Sequence, residues 1–317
     1  MKMLKPFFNL MSPAGPRGRL SVLIFHRVLP EPDPLFPDEM HAQRFHEMCG
    51  WIKTWFNVLP LDQAVARLKS GTLPSCAACI TFDDGYADNL HVAVPILQQH
   101  GLTAAFFIAT GFLNGGRMWN DTIIETVRAC NDLSAIAEDL PGLEPHGSPS
   151  VADRRAAIST LINQIKYRPV AERVTITEQL AQSVHADLPQ DLMMTSAEVK
   201  AMRRAGMLIG AHTVSHPILA RLTDDAAGQE IASSKLFLEE LLGERIALFA
   251  YPNGKPGEDY SPQTVAVVRS LGFDGAVSTQ WGCSGLGDDA FQIRRFTPWD
   301  KQRMRFGVRM LRNLRAA

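Results

Sequence analysis

The sequence lacks several features that would place it in a specialised class of protein. Its 317 residues include only 5 cysteines, an odd number that excludes a framework in which every cysteine is paired. No apolar run reaches the ~18–20 residues that a membrane-spanning helix needs. The formal net charge is −1, so no overall field attracts nucleic acid, and we expect no nucleic-acid partner. The sparse cysteines are compatible with a reducing compartment.

The amino-terminal segment makes a poor signal peptide. It is basic and partly apolar, but Pro6 and Asn9 interrupt the apolar stretch, and Pro13 and Pro16 follow it. We therefore expect a cytoplasmic protein, and peripheral contact with the inner membrane stays an open alternative.

Short apolar runs alternate with helical patterns along most of the chain. The composition, with 46% hydrophobic and 21% charged residues, is that of an ordinary globular protein. Near-continuous apolar strands indicate burial on both faces, as in a parallel sheet. The predicted strands are 21–26, 78–82, 104–109, 207–211, 247–251 and 273–278. The predicted helices between them are 43–54, 61–68, 87–100, 196–205, 224–242 and 261–270. This alternation predicts an α/β fold, either a barrel or an open sheet, in one domain spanning 1–317.

Residues 115–192 interrupt the alternation. They contain helical patterns at 121–132, 151–166 and 170–185, a stretch rich in Pro and Gly at 141–149, and no convincing strand. We predict a helical insertion within the domain, which either builds a wall beside a site at the strand ends or packs on the outside.

Residues 301–317 have the pattern of a basic amphipathic helix. Basic residues alternate with apolar residues near helical spacing, at Lys301, Arg303, Arg305, Arg309, Arg312 and Arg315 against Met304, Val308, Leu311 and Leu314. Such a helix can lie on an anionic membrane, which would suit a lipid-linked sugar as substrate, or it can cover the barrel with its arginines in solvent.

Two short motifs, each placed directly after a predicted strand, carry metal-ligand chemistry. Asp83 and Asp84 are followed by Gly85, which permits the turn that two neighbouring carboxylates need in order to converge. His212 and His216 are four residues apart, so a helical turn would place both imidazoles on one face. Together the motifs offer ligands for one divalent metal and a spare carboxylate for general-base work. Either motif alone is weak, because acidic turns and structural histidines are common.

The two motifs, TFDDGY at 81–86 and HTVSHP at 212–217, resemble the first and second motifs of the polysaccharide deacetylases, carbohydrate esterases that remove N-acetyl groups from sugar polymers. The resemblance covers residues 20–110 and 195–300. It implies a distorted (β/α) barrel with seven strands and one divalent metal. Zn²⁺ is the expected ion, and Co²⁺, Ni²⁺, Fe²⁺ and Mn²⁺ are alternatives.

The resemblance also implies roles for individual side chains. Asp83 would be the general base, and Asp84, His212 and His216 would hold the metal. The third motif, which corresponds to 249–254 here, lacks its arginine.

In this chain, Ala250 occupies the position of that arginine. Arg295, or its neighbour Arg294, would replace it and orient the base. Asn253 would lend a backbone N–H to the oxyanion.

The remaining motifs are incomplete. The fourth retains Trp281 without its two aspartates, and no histidine follows the second motif to act as the family's carboxy-terminal general acid. The subgroup that acts on exopolysaccharides carries a histidine near the amino terminus instead, and 25–28 resembles that element, so we predict His26 as the acid. We predict that Tyr251, Trp281 and Trp119 contact the sugar, although Trp119 can equally anchor the insertion.

These observations predict metal-dependent removal of an N-acyl group, most simply acetyl, from an amino sugar in a polysaccharide, an oligosaccharide or a lipid-linked precursor. Two alternatives stay open. One is a hydrolase of another C–N bond, in a formamido sugar or a cyclic amide. The other is a carbohydrate-binding protein with a decayed site, which the missing third-motif arginine weakly supports.

Overall fold

A computed structural model describes residues 4–137, 149–185 and 187–316, with the side chains of Ala135 and Ala137 excepted. The strands are β1 (Arg19–Phe25), β2 (Asn57–Val58), β3 (Ala77–Phe82), β4 (Ala105–Ile108), β5 (Leu208–Ala211), β6 (Leu248–Ala250), β7 (Gly275–Val277), β8 (Ser284–Gly285) and β9 (Arg295–Phe296). The helices are α1 (Lys5–Met11), α2 (Ala42–Trp55), α3 (Leu61–Ser70), α4 (Val94–His100), α5 (Trp119–Ala129), α6 (Ser134–Ala137), α7 (Val151–Ile165), α8 (Val170–Ser183), α9 (Ser196–Arg204), α10 (Asp224–Leu242), α11 (Pro262–Ser270) and α12 (Arg303–Asn313).

Seven parallel strands form a nearly closed barrel, which confirms the predicted distorted (β/α)7 fold. The hydrogen-bonded order is β7-β6-β5-β4-β3-β1, and β9 then pairs with the free side of β1 through Val22–Arg295 and Leu23–Phe296. A parallel bridge between Val277 and Ile293 joins β7 to the segment that leads into β9 and closes the ring. The short β2 and β8 extend the edges of β3 and β1.

Alternate residues of each strand belong to two separate apolar clusters, as the two faces of a barrel wall require. On β1, Leu20 and Val22 join a cluster with the apolar face of α3, whereas Leu23 and Phe25 join the larger cluster beneath the outer helices. Both faces of every long strand are therefore buried, which explains the continuous apolar runs in the sequence.

The described residues of 115–192 form α5 to α8 and include no strand. They lie between β4 and β5 and have their own apolar cluster, in which Ile123, Leu161 and Leu180 meet Leu35 from the loop after β1. Most of the predicted Pro- and Gly-rich stretch falls at 138–148, outside the described residues.

The predicted carboxy-terminal helix is present as α12. Its buried side, with Phe306 and Met310, packs onto the barrel and onto α1, while Met304 and Val308 are exposed. Arg309 pairs with the buried Asp300 at 2.7 Å, so part of the basic face serves the fold. In the part of the chain that is described, no helix combines the length and apolar character needed to cross a membrane.

Candidate metal and catalytic site

The predicted carboxylate pair lies at the carboxyl end of β3. The N–H of Asp83 donates to the carbonyl of Phe25 at 3.0 Å, so Asp83 still continues the ladder between β1 and β3. Asp84 and Gly85 then take positive φ angles of 77° and 92°, which turns the chain sharply and brings Asp84 toward the centre of the barrel mouth. A side chain at Gly85 would be strained by this φ and would press on Ile108.

The two histidines converge by a different route from the one predicted. Thr213 and His216 have positive φ angles of 64° and 52°, and the segment between them is not helical. The prediction of a helical turn was wrong, because left-handed residues rather than helical periodicity bring the two rings together. Their centroids are 4.9 Å apart.

The loop that carries His216 is held by Glu230 of α10, a residue that sequence reasoning missed. Its carboxylate accepts the N–H groups of Val214 and Ser215 at 2.9 Å each and the Ser215 hydroxyl at 2.7 Å. Charged acceptors make such hydrogen bonds strong, which offsets the strained backbone. Glu230 belongs to no motif in the sequence, so only the packing of α10 reveals its role.

Asp84, His212 and His216 have the arrangement of a metal site. The Oδ1 atom of Asp84 is 3.5 Å from the Nε2 atom of each imidazole, and the three potential ligand atoms lie within 4.8 Å of one another. Asp84 Oδ1 is buried without a hydrogen-bond partner, and a cation would satisfy this acceptor. One carboxylate and two imidazoles, with open positions for water and substrate, suit zinc or a similar first-row ion.

The histidine environments differ. His212 Nδ1 donates to the carbonyl of Ala250 at 2.8 Å, which directs Nε2 toward Asp84. Burial would lower the pKa of His212, but the nearby carboxylates of Asp84 and Asp83 outweigh it and raise that pKa, so a bound cation would displace a proton from Nε2. Burial lowers the pKa of His216 to about 4, so its ring is neutral at pH 7. Burial alone would raise the pKa of Asp84, but the nearby imidazoles outweigh it and lower that pKa, so the carboxylate is ionised.

Arg295 pairs with the predicted base. Its guanidinium donates to both oxygens of Asp83, at 2.7 and 2.8 Å, and to the carbonyl of Ser278 at 2.7 Å. Both side chains are buried; burial would raise the pKa of Asp83, but the charge of Arg295 lowers it. A guanidinium from β9 therefore contacts Asp83, although the third motif of this chain has no arginine.

An open cleft of about 270 Å³ lies over these groups. Its walls include His26 after β1, Trp119 at the start of α5, and Asn253, whose φ is also positive at 58°. The ring of His26 is exposed, and Asn89 holds its carbonyl at 2.9 Å. The structure therefore brings His26, Trp119 and Asn253 to the same cleft as the metal ligands.

Two predicted sugar-binding residues lie elsewhere. Tyr251 has no exposed surface, stacks on Tyr260 with ring centroids 3.9 Å apart, and donates its hydroxyl to the carbonyl of Phe291 at 3.0 Å. Its ring is packed into the core, so the prediction that it contacts the sugar was wrong. Trp281 is 48% exposed but does not line the cleft, which Thr279 borders instead.

Comparison with known proteins agrees with this geometry. A family model described as Polysaccharide deacetylase matches residues 70–139 and 170–276. The chain belongs to the polysaccharide deacetylase family. It is 20% identical to YxkH of Bacillus subtilis (strain 168) over 284 residues, which cover 88% of this chain and 71% of that protein.

Solved structures of deacetylases share the fold. The Streptococcus pyogenes deacetylase PplD in complex with acetate matches 93% of this polysaccharide deacetylase and 98% of its own chain, with a TM-score of 0.61 and 17% identity. A de-N-acetylase from Aggregatibacter actinomycetemcomitans matches 92% and 99% of the two chains, with a TM-score of 0.57 and 16% identity. Membership of the family supports carbohydrate deacetylation as the class of reaction.

Proposed function

We propose that this polysaccharide deacetylase uses one divalent metal, most simply Zn²⁺, to hydrolyse the N-acetyl group of an amino sugar in a glycan. The observation that carries the proposal is the placement of an ionised carboxylate, Asp83, beside a separate ligand set of Asp84, His212 and His216. Asp83 is held by Arg295, whereas Asp84 faces the two imidazoles, so we assign the two carboxylates different roles. General base and metal ligand are the two roles that amide hydrolysis needs.

The residues divide the chemistry among them. When bound, a divalent cation would supply a Lewis acid that activates water and polarises the amide carbonyl. Asp83 takes a proton from the attacking water, because Arg295 keeps it ionised and a carboxylate retains lone pairs beyond the two that the guanidinium occupies. The backbone N–H of Asn253 donates to the developing oxyanion. His26 protonates the leaving sugar nitrogen, and Trp119 stacks on the sugar face.

Two other functions compete with this proposal. A hydrolase of another C–N bond, in a formamido sugar or a cyclic amide, would use the same base and metal. A decayed carbohydrate-binding protein was suggested by the missing third-motif arginine, but the contacts of Arg295 with Asp83 weaken that reason. The structure of the Streptococcus pyogenes deacetylase PplD in complex with acetate supports an acetyl substrate.

We expect Asp84→Ala to lose both bound metal and acetate release, because Asp84 is the single carboxylate in the ligand set. The measurements are metal content by elemental analysis and acetate released from N-acetylated oligosaccharides. The control is Asp274→Ala, which removes an exposed carboxylate. If wild type binds metal but releases no acetate, a different C–N bond is the target; if it does neither, the binding-protein alternative stands.

We also propose that the protein contacts an anionic membrane through α12 and α1, as a lipid-linked substrate would require. The support is that α1 packs on α12, and both helices leave large apolar side chains exposed, at Phe7, Leu10, Met304 and Val308. Exposed basic side chains on and beside α12, such as Arg305 and Lys301, would meet anionic headgroups.

For the membrane proposal, we expect the double variant Met304→Ser, Val308→Ser to bind vesicles of anionic lipid more than ~10-fold less tightly. Full burial of each side chain contributes roughly 1.5–3 kcal/mol, and both project away from the barrel. Flotation assays measure this binding, with Leu236→Ser, Phe237→Ser on α10 as a control that also removes exposed apolar side chains. Truncation of α12 would be a poor test because Phe306 and Met310 belong to the core. Equal flotation of all three proteins would refute the membrane contact.

A further inference from the structure

Arg173 of α8 is a buried cation that no described carboxylate pairs with. Only 3% of the residue is exposed, and its Nε atom is buried without a hydrogen-bond partner. No carboxylate among residues 4–137, 149–185 and 187–316 forms an ion pair with its guanidinium, and burial alone lowers its pKa. A charge taken out of water without a partner is costly for stability, so its retention calls for an explanation.

The position of Arg173 suggests what that explanation is. It lines the active-site cleft on the side that the insertion forms. The carboxylates and imidazoles lie at the strand ends. It also borders the groove that continues from the cleft between α5 and α8. The ring of Trp119 lies 5.2 Å from the guanidinium carbon and fixes its orientation without neutralising it.

A second cation reinforces the same wall. Lys166, at the end of α7, lines the cleft, and within the described part of the chain no carboxylate pairs with it. The carboxylates in the cleft wall do not neutralise these two cations, because Asp83 pairs with Arg295 and Asp84 faces the imidazoles. The cleft is therefore cationic although the whole chain has a net charge of −1.

We propose that Arg173 and Lys166 form an anion subsite, and that the glycan substrate carries a phosphate or carboxylate on or beside the sugar that is deacetylated. This inference rests on the proposed function for its reaction, but it concerns a different part of the cleft. A guanidinium in a fixed orientation suits either oxyanion, since both present two oxygens to its forked donors. A sugar phosphate ester and a uronic acid share this chemistry.

The test compares three substrates with wild type and Arg173→Met. The substrates are a neutral N-acetylglucosamine tetramer, a hyaluronan tetrasaccharide that carries glucuronic acid, and N-acetylglucosamine 1-phosphate. We expect kcat/KM to be at least ~10-fold higher for one anionic substrate than for the neutral tetramer, and the ratio of these two values to fall close to one in the variant. The preferred anion distinguishes a uronic acid from a phosphate ester. Equal rates on all three substrates in wild type would overturn the proposal.

Two further measurements separate this proposal from a structural role and from failure of the deacetylase proposal. Arg173→Met removes a buried charge that pairs with no described carboxylate, so it should not lower the melting temperature. If Arg173 instead stabilised the fold, its removal would lower the melting temperature. Binding of inorganic pyrophosphate to the metal-loaded protein, measured by calorimetry, should weaken at least ~10-fold in Arg173→Met even if no substrate is hydrolysed. Arg168→Met, which removes an exposed arginine of the same insertion, should change neither. Unchanged pyrophosphate affinity or a lowered melting temperature in Arg173→Met would reject the subsite.

Discussion

Asp83→Asn is expected to retain its metal and to lose about 10²–10⁴-fold in turnover. The amide has nearly the shape of the carboxylate but cannot take a proton from water. The proposed metal ligands Asp84, His212 and His216 are untouched, so metal content should stay at the wild-type level. The measurements are acetate release at saturating substrate and elemental analysis of the same preparation.

The control for this change is Asp274→Asn, which makes the same substitution at an exposed aspartate that also pairs bidentately with an arginine. It should leave turnover unchanged. A wild-type rate in Asp83→Asn would remove Asp83 from its role as base. Loss of metal together with activity would instead assign Asp83 to the ligand set.

Arg295→Met is expected to destabilise the fold by about 3–5 kcal/mol, because it leaves a buried carboxylate without its partner. Asp83 accepts two hydrogen bonds from this guanidinium, and the carbonyl of Ser278 accepts a third. The matched control is Arg245→Met, which breaks an equally bidentate but exposed pair with Asp274 and should cost at most about 1 kcal/mol because water screens it. Urea unfolding of the three proteins measures the difference. Similar losses in the two variants would show that burial adds nothing to the Asp83 pair.

The pH dependence of Arg295→Met has a definite sign. In wild type the pKa of Asp83 is lowered, so its ionised form stabilises the fold above the unfolded pKa of about 3.9, and this contribution is lost as the pH falls through the folded pKa. Without Arg295, burial acts on the carboxyl and raises its pKa, so the variant loses stability as the pH rises. The stability difference between the two proteins should therefore be larger at pH 7 than at pH 4.

The fold was predictable because its signals are local. The long strands β1 and β3 are buried on both faces, so their sequences are mostly apolar. The helix α10 was predicted with the bounds that the structure has. The strand that closes the barrel was not predictable. β9 is two residues long and contains Arg295, so it has no apolar run to detect, and its pairing with β1 depends on the curvature of the whole sheet.

The candidate site, like the fold, was only partly predictable from the sequence. Asp83, Asp84, His212 and His216 were chosen from sequence because two short motifs contain them, although the helical turn predicted for the histidines was wrong. Glu230 and Arg173 escaped detection, since a carboxylate on a helix or an arginine in an insertion has no distinctive local pattern. Tyr251 was misassigned because its position beside a motif indicated the site, while packing against Tyr260 turned its ring into the core.

By itself the sequence determined the ligand chemistry, the parallel sheet and the family resemblance, since these depend on residue type, short spacing and apolar runs. Only the tertiary structure decided which arginine pairs with Asp83, which aromatic rings reach the cleft, and which buried cation pairs with no described carboxylate. The pairing of Arg295 with Asp83, for example, joins residues 212 positions apart, and such a contact exists only once the barrel has closed.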